Sequence, residues 1–127
     1  MTLYNMFALN PSSIVFSLYQ GEEKTWKPIW YVAEIECDLP INVIEAGYTN
    51  TGKQVDEKTA KLIGEKILKC LKSGKFHEYV RNHEEKISKI SNENHILRNI
   101  ISGYSYSIEE FKTFGNFCIN SGGFKVL

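Results

Sequence analysis

The amino-acid sequence predicts a mostly α-helical protein: three to four helices on one core, with a short irregular or β segment between Trp26 and Gly52. Three observations predict it. An apolar stripe of Ala60, Ile63, Ile67, Leu68 and Leu71 recurs at helical spacing behind Asp56, a good N-cap residue. Ser107-Ile108-Glu109-Glu110 has the form of a capping box, in which Ser107 caps and Glu110 reaches back. Between them Phe76, Val80, His83, Ile87, Ile90, Asn94, Leu97 and Ile101 recur at spacings of three and four, a heptad-like seam.

From the N-terminus, Asn10-Pro11-Ser12-Ser13 is a helix-start signal. Ile14, Val15, Leu18 and Tyr19 follow at roughly helical spacing, although the β-branched pair Ile14-Val15 would also suit a strand. Trp26 to Tyr31 is dense in aromatics, and Pro28 disfavours helix at Lys27. Residues 29–36 read equally as a strand or a short helix. Leu39-Pro40 and Gly47 to Gly52 mark irregular chain, with Gly52 able to supply a positive φ in a turn.

The helix after Asp56 is the clearest. Val55 can staple Ala60, Glu57 and Lys72 suit the two ends of the helix dipole, and Ser73-Gly74 ends it. Phe76 to Ile101 is one long helix or two short ones, with Ser91-Asn92 the favoured break and Gly103 the close. In the last helix Tyr106 is placed to staple Phe111. Phe111, Phe114, Phe117 and Cys118 form its inner face. A spacing of three drifts around a helix, so the three Phe are not expected to be all buried, and Phe111 and Cys118 should be innermost. Asn120 to Gly123 stops that helix, and Phe124 to Leu127 is a short extended tail.

The 127 residues suit a single domain over 1–127, and a hydrophobic fraction of 43% supplies a core without disulfide or metal. Fifteen Lys and Arg balance fifteen Asp and Glu, which argues against nucleic acid as a partner. Lys66, Lys69, Lys72 and Lys75, three apart, read as a solvated helix face. Cys37, Cys70 and Cys118 form no CxxC pair and read as reduced thiols. The apolar stretch Tyr4 to Leu9 is too short for a signal peptide and is followed by Pro11, and no apolar run approaches the ~20 residues of a membrane span. A cytoplasmic location with no membrane partner is expected.

No constellation predicts an enzyme. His77 and His83 are six apart and His95 is twelve further, which is not metal-ligand spacing on one helix face, so no metal or cofactor is expected. Gly47 to Lys53, GYTNTGK, nearly matches a phosphate loop, but Gln54 stands where Ser or Thr is needed, and Asp56 at the following helix start would repel a phosphate. Arg81 and His83, with one residue between them, fall on different helix faces and cannot form the paired Arg and His of helical ribonucleases. Cys118 between Phe117 and Ile119 reads as core rather than nucleophile.

Two segments carry a resemblance. Gly47-Tyr48-Thr49-Asn50-Thr51-Gly52-Lys53-Gln54-Val55, leading to Ala60, resembles a "GYxxNDGxxV…DA" turn before a helix, with Thr51 where that pattern commonly has Asp. Phe111 to Phe124 is similar to an "EFxxFxxxSGGF" ending, and Trp26-Lys27-Pro28 to a "GWxP" motif with Thr25 in place of the Gly. Together they resemble a family of small, uncharacterised bacterial proteins, some of them immunity-protein-like. The resemblance carries no catalytic residues and implies neutralisation of a partner toxin by direct binding.

The expected function is therefore a non-enzymatic binding protein, of the immunity or antitoxin type. The candidate partner-binding residues are Trp30, Tyr31, Glu34, Glu36 and Asp38: three carboxylates within five residues beside two large aromatics, suited to a basic toxin. The alternatives are a helical structural or regulatory homo-oligomer pairing through the Phe76–Ile101 seam, and a small nucleotide-binding protein using the Gly47–Lys53 loop.

Overall fold

A computed structural model describes residues 2–90 and 94–127. The described chain is mostly helical, but it holds six helices rather than three to four, and a four-stranded antiparallel sheet. In order these are β1 (Leu3–Ala8), β2 (Leu18–Glu22), α1 (Glu23–Cys37), α2 (Ile41–Tyr48), β3 (Gln54–Val55), α3 (Glu57–Ser73), α4 (Phe76–Lys89), α5 (His95–Gly103), α6 (Ile108–Asn120) and β4 (Phe124–Val126). A 3-10 turn at Ile14–Phe16 joins the first two strands.

The strand order β2-β1-β4-β3 brings the C-terminal tail into the middle of the sheet. Met6 pairs with Val126 and Ala8 with Phe124. The inner face carries Tyr4, Met6, Tyr19, Val55, Phe124 and Val126, all buried. The helix expected from Ser13 to Tyr19 is absent. Ser13 makes no side-chain cap bond, Ile14 and Val15 stand in water, and Leu18-Tyr19 opens a strand. The local signal lost to cross-strand pairing, which puts Tyr19 opposite Met6 and into the core.

The segment between Trp26 and Gly52 is not irregular or β but two helices, and residues 29–36 lie wholly inside α1. Pro28 sits within α1 instead of ending it. A proline there removes one helical N–H and orphans the carbonyl four residues back, that of Lys24. Ser105, from the loop between α5 and α6, donates its backbone N–H to that carbonyl at 2.9 Å. The tertiary bond replaces the missing helical one. Trp26 and Trp30 face inward and are anchored by their indole N–H groups, Trp26 to the Gly47 carbonyl at 2.7 Å and Trp30 to the Ile44 carbonyl at 2.9 Å. A Cβ on Gly47 would overlap the Trp30 ring, so only glycine lets α2 lie this close.

α3 and α6 form as their caps predict. The Asp56 carboxylate accepts the Thr59 N–H and the Ser107 hydroxyl accepts the Glu110 N–H. Glu110 does not reach back, however. Its carboxylate takes the Tyr19 hydroxyl at 2.6 Å and ties α6 to β2. Phe111, Phe114 and Phe117 are all buried, against expectation, because α6 is covered on several sides. Phe111 meets Phe76, Phe114 packs edge-on to Trp26 with ring centres 4.9 Å apart, and Phe117 lies against Phe124.

The Phe76–Ile101 seam does not run through one helix; it is divided between α4 and α5. The break expected at Ser91-Asn92 lies outside the described residues. Of the two polar residues in the seam, Asn94 caps α5 and His83 lies against the Tyr106 ring with centres 5.0 Å apart. Among the described residues no helix is long and apolar enough to cross a membrane.

Candidate functional site

Helical residues at spacings of three and four share a face, and in α1 the set Pro28, Tyr31 and Ile35, with Lys27 beside Pro28, forms the floor of a cleft of about 530 Å³. Tyr48 at the end of α2 contributes one side. Tyr79, His83 and Lys86 of α4, again at helical spacing, contribute the other, with Lys75 at the start of that helix. Ile101 of α5 and then Tyr104 and Tyr106 of the following loop complete it. Tyr31, Tyr48, Tyr79, Tyr104 and Tyr106 are five of the chain's seven tyrosines. The Ser105–Lys24 bond falls between Tyr104 and Tyr106 and ties the loop that carries both rings to α1.

Glu34 and Glu36 stand one residue to either side of Ile35, and so flank the floor on opposite sides. Each holds one tyrosine. The Tyr48 hydroxyl donates to Glu34 at 3.1 Å, and the Tyr79 hydroxyl donates to Glu36, which also pairs with Lys75 at 2.8 Å. Burial, reinforced by these carboxylates, pushes both phenols above their ordinary pKa. Burial alone would raise the Glu36 carboxyl, but the hydrogen bonds from Lys75 and Tyr79 outweigh it and hold the group below the usual carboxylate range. The Lys75 ammonium is raised in turn by its hydrogen bond to Glu36. Lys27 is raised by its bond to Glu23 at 2.8 Å.

Tyr106 is pushed up to about 12 by burial. Burial also lowers His83, against an opposing hydrogen bond to the Tyr104 backbone, so the imidazole is neutral at pH 7. Among the described residues the Tyr31 and Tyr106 hydroxyls form no hydrogen bond, and Lys86 no ion pair. The cleft thus offers aromatic faces, phenol groups with no hydrogen-bond partner among the described residues, and both signs of charge in its lining, Lys86 and Glu78, while Glu34 and Glu36 beside it are engaged.

The sequence-based surface is only partly a surface. Trp30 is wholly buried and cannot anchor a partner. Tyr31 is 45% exposed and is central to the cleft. Glu34 and Glu36 are half-buried and orient Tyr48 and Tyr79. Asp38 is exposed in the left-handed region at the end of α1 and does not line the cleft. The three carboxylates do not form one surface: Glu34 and Glu36 flank Ile35 on opposite sides of α1 and Asp38 lies past its end, because a helix separates neighbours that an extended chain would align. Missed in the sequence were Tyr48, Tyr79, Tyr104, Tyr106 and His83 as one group, since they come from three separate segments.

The Gly47–Lys53 segment makes no phosphate cradle. Gly47 is the penultimate residue of α2 with its carbonyl committed to Trp26, Gly52 donates its N–H to the Val126 carbonyl, and the Asp56 carboxylate occupies the N-terminus of α3. Cys70 and Cys118 are buried and Cys37 half-buried, and burial raises all three thiols, Cys37 and Cys70 to about 11. No family model, curated protein or solved structure matches the chain.

Proposed function

We propose that this protein works by binding, and that the tyrosine-lined cleft receives a projecting segment of a partner protein in the manner of an immunity protein. The observation that carries the reading is the gathering of five tyrosines from α1, α2, α4 and the α5–α6 loop around one cleft. Tyrosine gives large amphipathic contact area at a small cost in side-chain entropy, and paratopes are built from it for that reason. A volume of about 530 Å³ accommodates one or two anchoring side chains, the usual scale of a buried hot spot. The tyrosine rings and their phenol groups favour an anchor that is aromatic and can hydrogen-bond, with Lys86 and Glu78 both at hand in the lining. The toxin-neutralising role rests on the resemblance in the Gly47–Val55 and Phe111–Phe124 segments.

The test is capture from the native host by cross-linking, followed by titration of the identified partner. Tyr31→Ala should weaken binding by at least about tenfold. Asp38→Ser, outside the cleft, should leave it unchanged. Loss of affinity in Asp38→Ser with none in Tyr31→Ala would move the site off the cleft and onto the acidic end of α1.

A further inference from the structure

At the far end of the β1–β2 hairpin the chain leaves large apolar side chains in water. Ile14 is 88% and Val15 77% exposed at the connecting turn, and Phe7, Leu9 and Leu18 are each between 44% and 46% exposed. Phe7 and Leu18 are cross-strand partners on the outer face of the sheet. These five residues leave roughly 500 Å² open, at the upper end of the largest apolar patch of an ordinary monomer. It is also about the apolar share of one side of a standard interface, which buries ~800 Å² per partner.

The same hairpin ends in an open strand edge. β2 is the outermost strand. The Ala8 N–H bonds to the Ser17 carbonyl. Antiparallel alternation then directs the ladder bonds of Tyr19 and Gly21 toward β1, and turns the backbone groups of Leu18 and Gln20 outward. Natural edges are blunted with proline, lysine or a bulge. Residues 18–22, Leu-Tyr-Gln-Gly-Glu, contain no proline or lysine, and their pairing with β1 runs without a bulge.

We infer that a second copy of this chain covers the Ile14–Leu18 end of the hairpin by pairing its own β2 antiparallel to this one about a two-fold axis. Leu18 and Gln20 of each copy exchange backbone hydrogen bonds with Gln20 and Leu18 of the other, and the two sheets become one. On the outer face Leu18 of each copy then lies opposite Gln20 of the other, and the two Phe7–Leu18 pairs become diagonal neighbours across the axis. The antiparallel order carries each Ile14–Val15 turn toward the Leu3 end of the other copy. Formal net charge is zero, so no long-range repulsion opposes self-association. A second copy is favoured over a foreign strand because apolar patch and open edge lie on one hairpin, and a two-fold axis satisfies both at once. The surface shares no residue with the tyrosine cleft.

The test is sedimentation equilibrium of the full chain over a concentration series reaching roughly 100 µM, a range that detects micromolar association. The expected mass is twice the 14.6 kDa of the chain. Gln20→Pro removes an outward N–H that no intrachain ladder bond uses. The double change Ile14→Asp and Val15→Asp alters only exposed side chains and serves if the proline variant unfolds. Each should raise the dimer dissociation constant at least about tenfold with the circular dichroism spectrum unchanged. Amide exchange at Leu18 and Gln20 should slow with concentration. A chain that stays monomeric over this range overturns the inference, and so does a dimer that is indifferent to Ile14→Asp/Val15→Asp or leaves the Leu18 and Gln20 amides in fast exchange.

Discussion

Pro28 shows how one residue links the helix it interrupts to the site it serves. Its ring leaves the Lys24 carbonyl without a helical partner, and Ser105 supplies the donor. Restoring an N–H with Pro28→Ala gives that carbonyl an internal competitor. The Ser105 amide should then exchange with solvent faster while α1 stays helical by circular dichroism; an unchanged Ser105 rate would mean that the loop is held by Tyr106 packing instead. His83 yields a second expectation at this scale. Burial places its folded pKa below the unfolded value of 6.5, so the unfolded chain takes up the proton first. Its contribution to stability is therefore full above about pH 6.5 and falls as the pH drops through that value toward the folded pKa. His83→Gln should flatten the melting temperature against pH just below about 6.5, where the unaltered chain declines. Parallel curves for the two proteins would refute the assignment.

Between elements, α3 and α6 approach each other closely at Gly64 and Gly115. A Cβ on Gly64 would lie 2.6 Å from the Gly115 carbonyl oxygen and 2.8 Å from Ile119, and backbone cannot yield as a side-chain tip can. Gly64→Ala should cost about 1–3 kcal/mol in urea denaturation. Gly103→Ala, at an open position in α5, should be neutral or stabilise by about 0.4–1 kcal/mol. A harmless Gly64→Ala would show that the two helices can part without loss. These two helices were also the most legible, because Asp56 and Ser107 act within one turn and need no tertiary partner. β1 and β2 were illegible for the converse reason. Tyr4 and Met6 point inward, but Leu3 and Phe7 on the outer face are apolar too, so alternation never registers as a pattern. The cleft was hidden for a related reason: once Pro28 argued against a helix, the stripe Pro28, Tyr31, Ile35 had no periodicity to belong to.

Across the whole molecule burial is uneven, and the unevenness coincides with the cleft. α3 and α6 each place five residues in the core, and Met6 of β1 is fully enclosed. α4 buries only Phe76 and Tyr79, both in its first turn, and α5 buries nothing, although Ile96, Leu97 and Ile100 are exposed along it. Opening free energy follows buried apolar contact, so the two regions should separate in native-state hydrogen exchange. Amides in α5 and the second half of α4 should exchange through local openings that depend weakly on denaturant. Amides at the centres of α3, α6 and β1 should exchange only with global unfolding. The cleft is thus bounded on the α1 side by the rigid core and on the α5 side by an element with little holding it. A partner segment in the cleft, touching Ile101 and Tyr104, should slow α5 exchange by more than its binding raises global stability. Equal protection of α5 and α3 in the free protein would show that the exposed isoleucines have cover of their own and that both sides of the cleft are already set before anything binds.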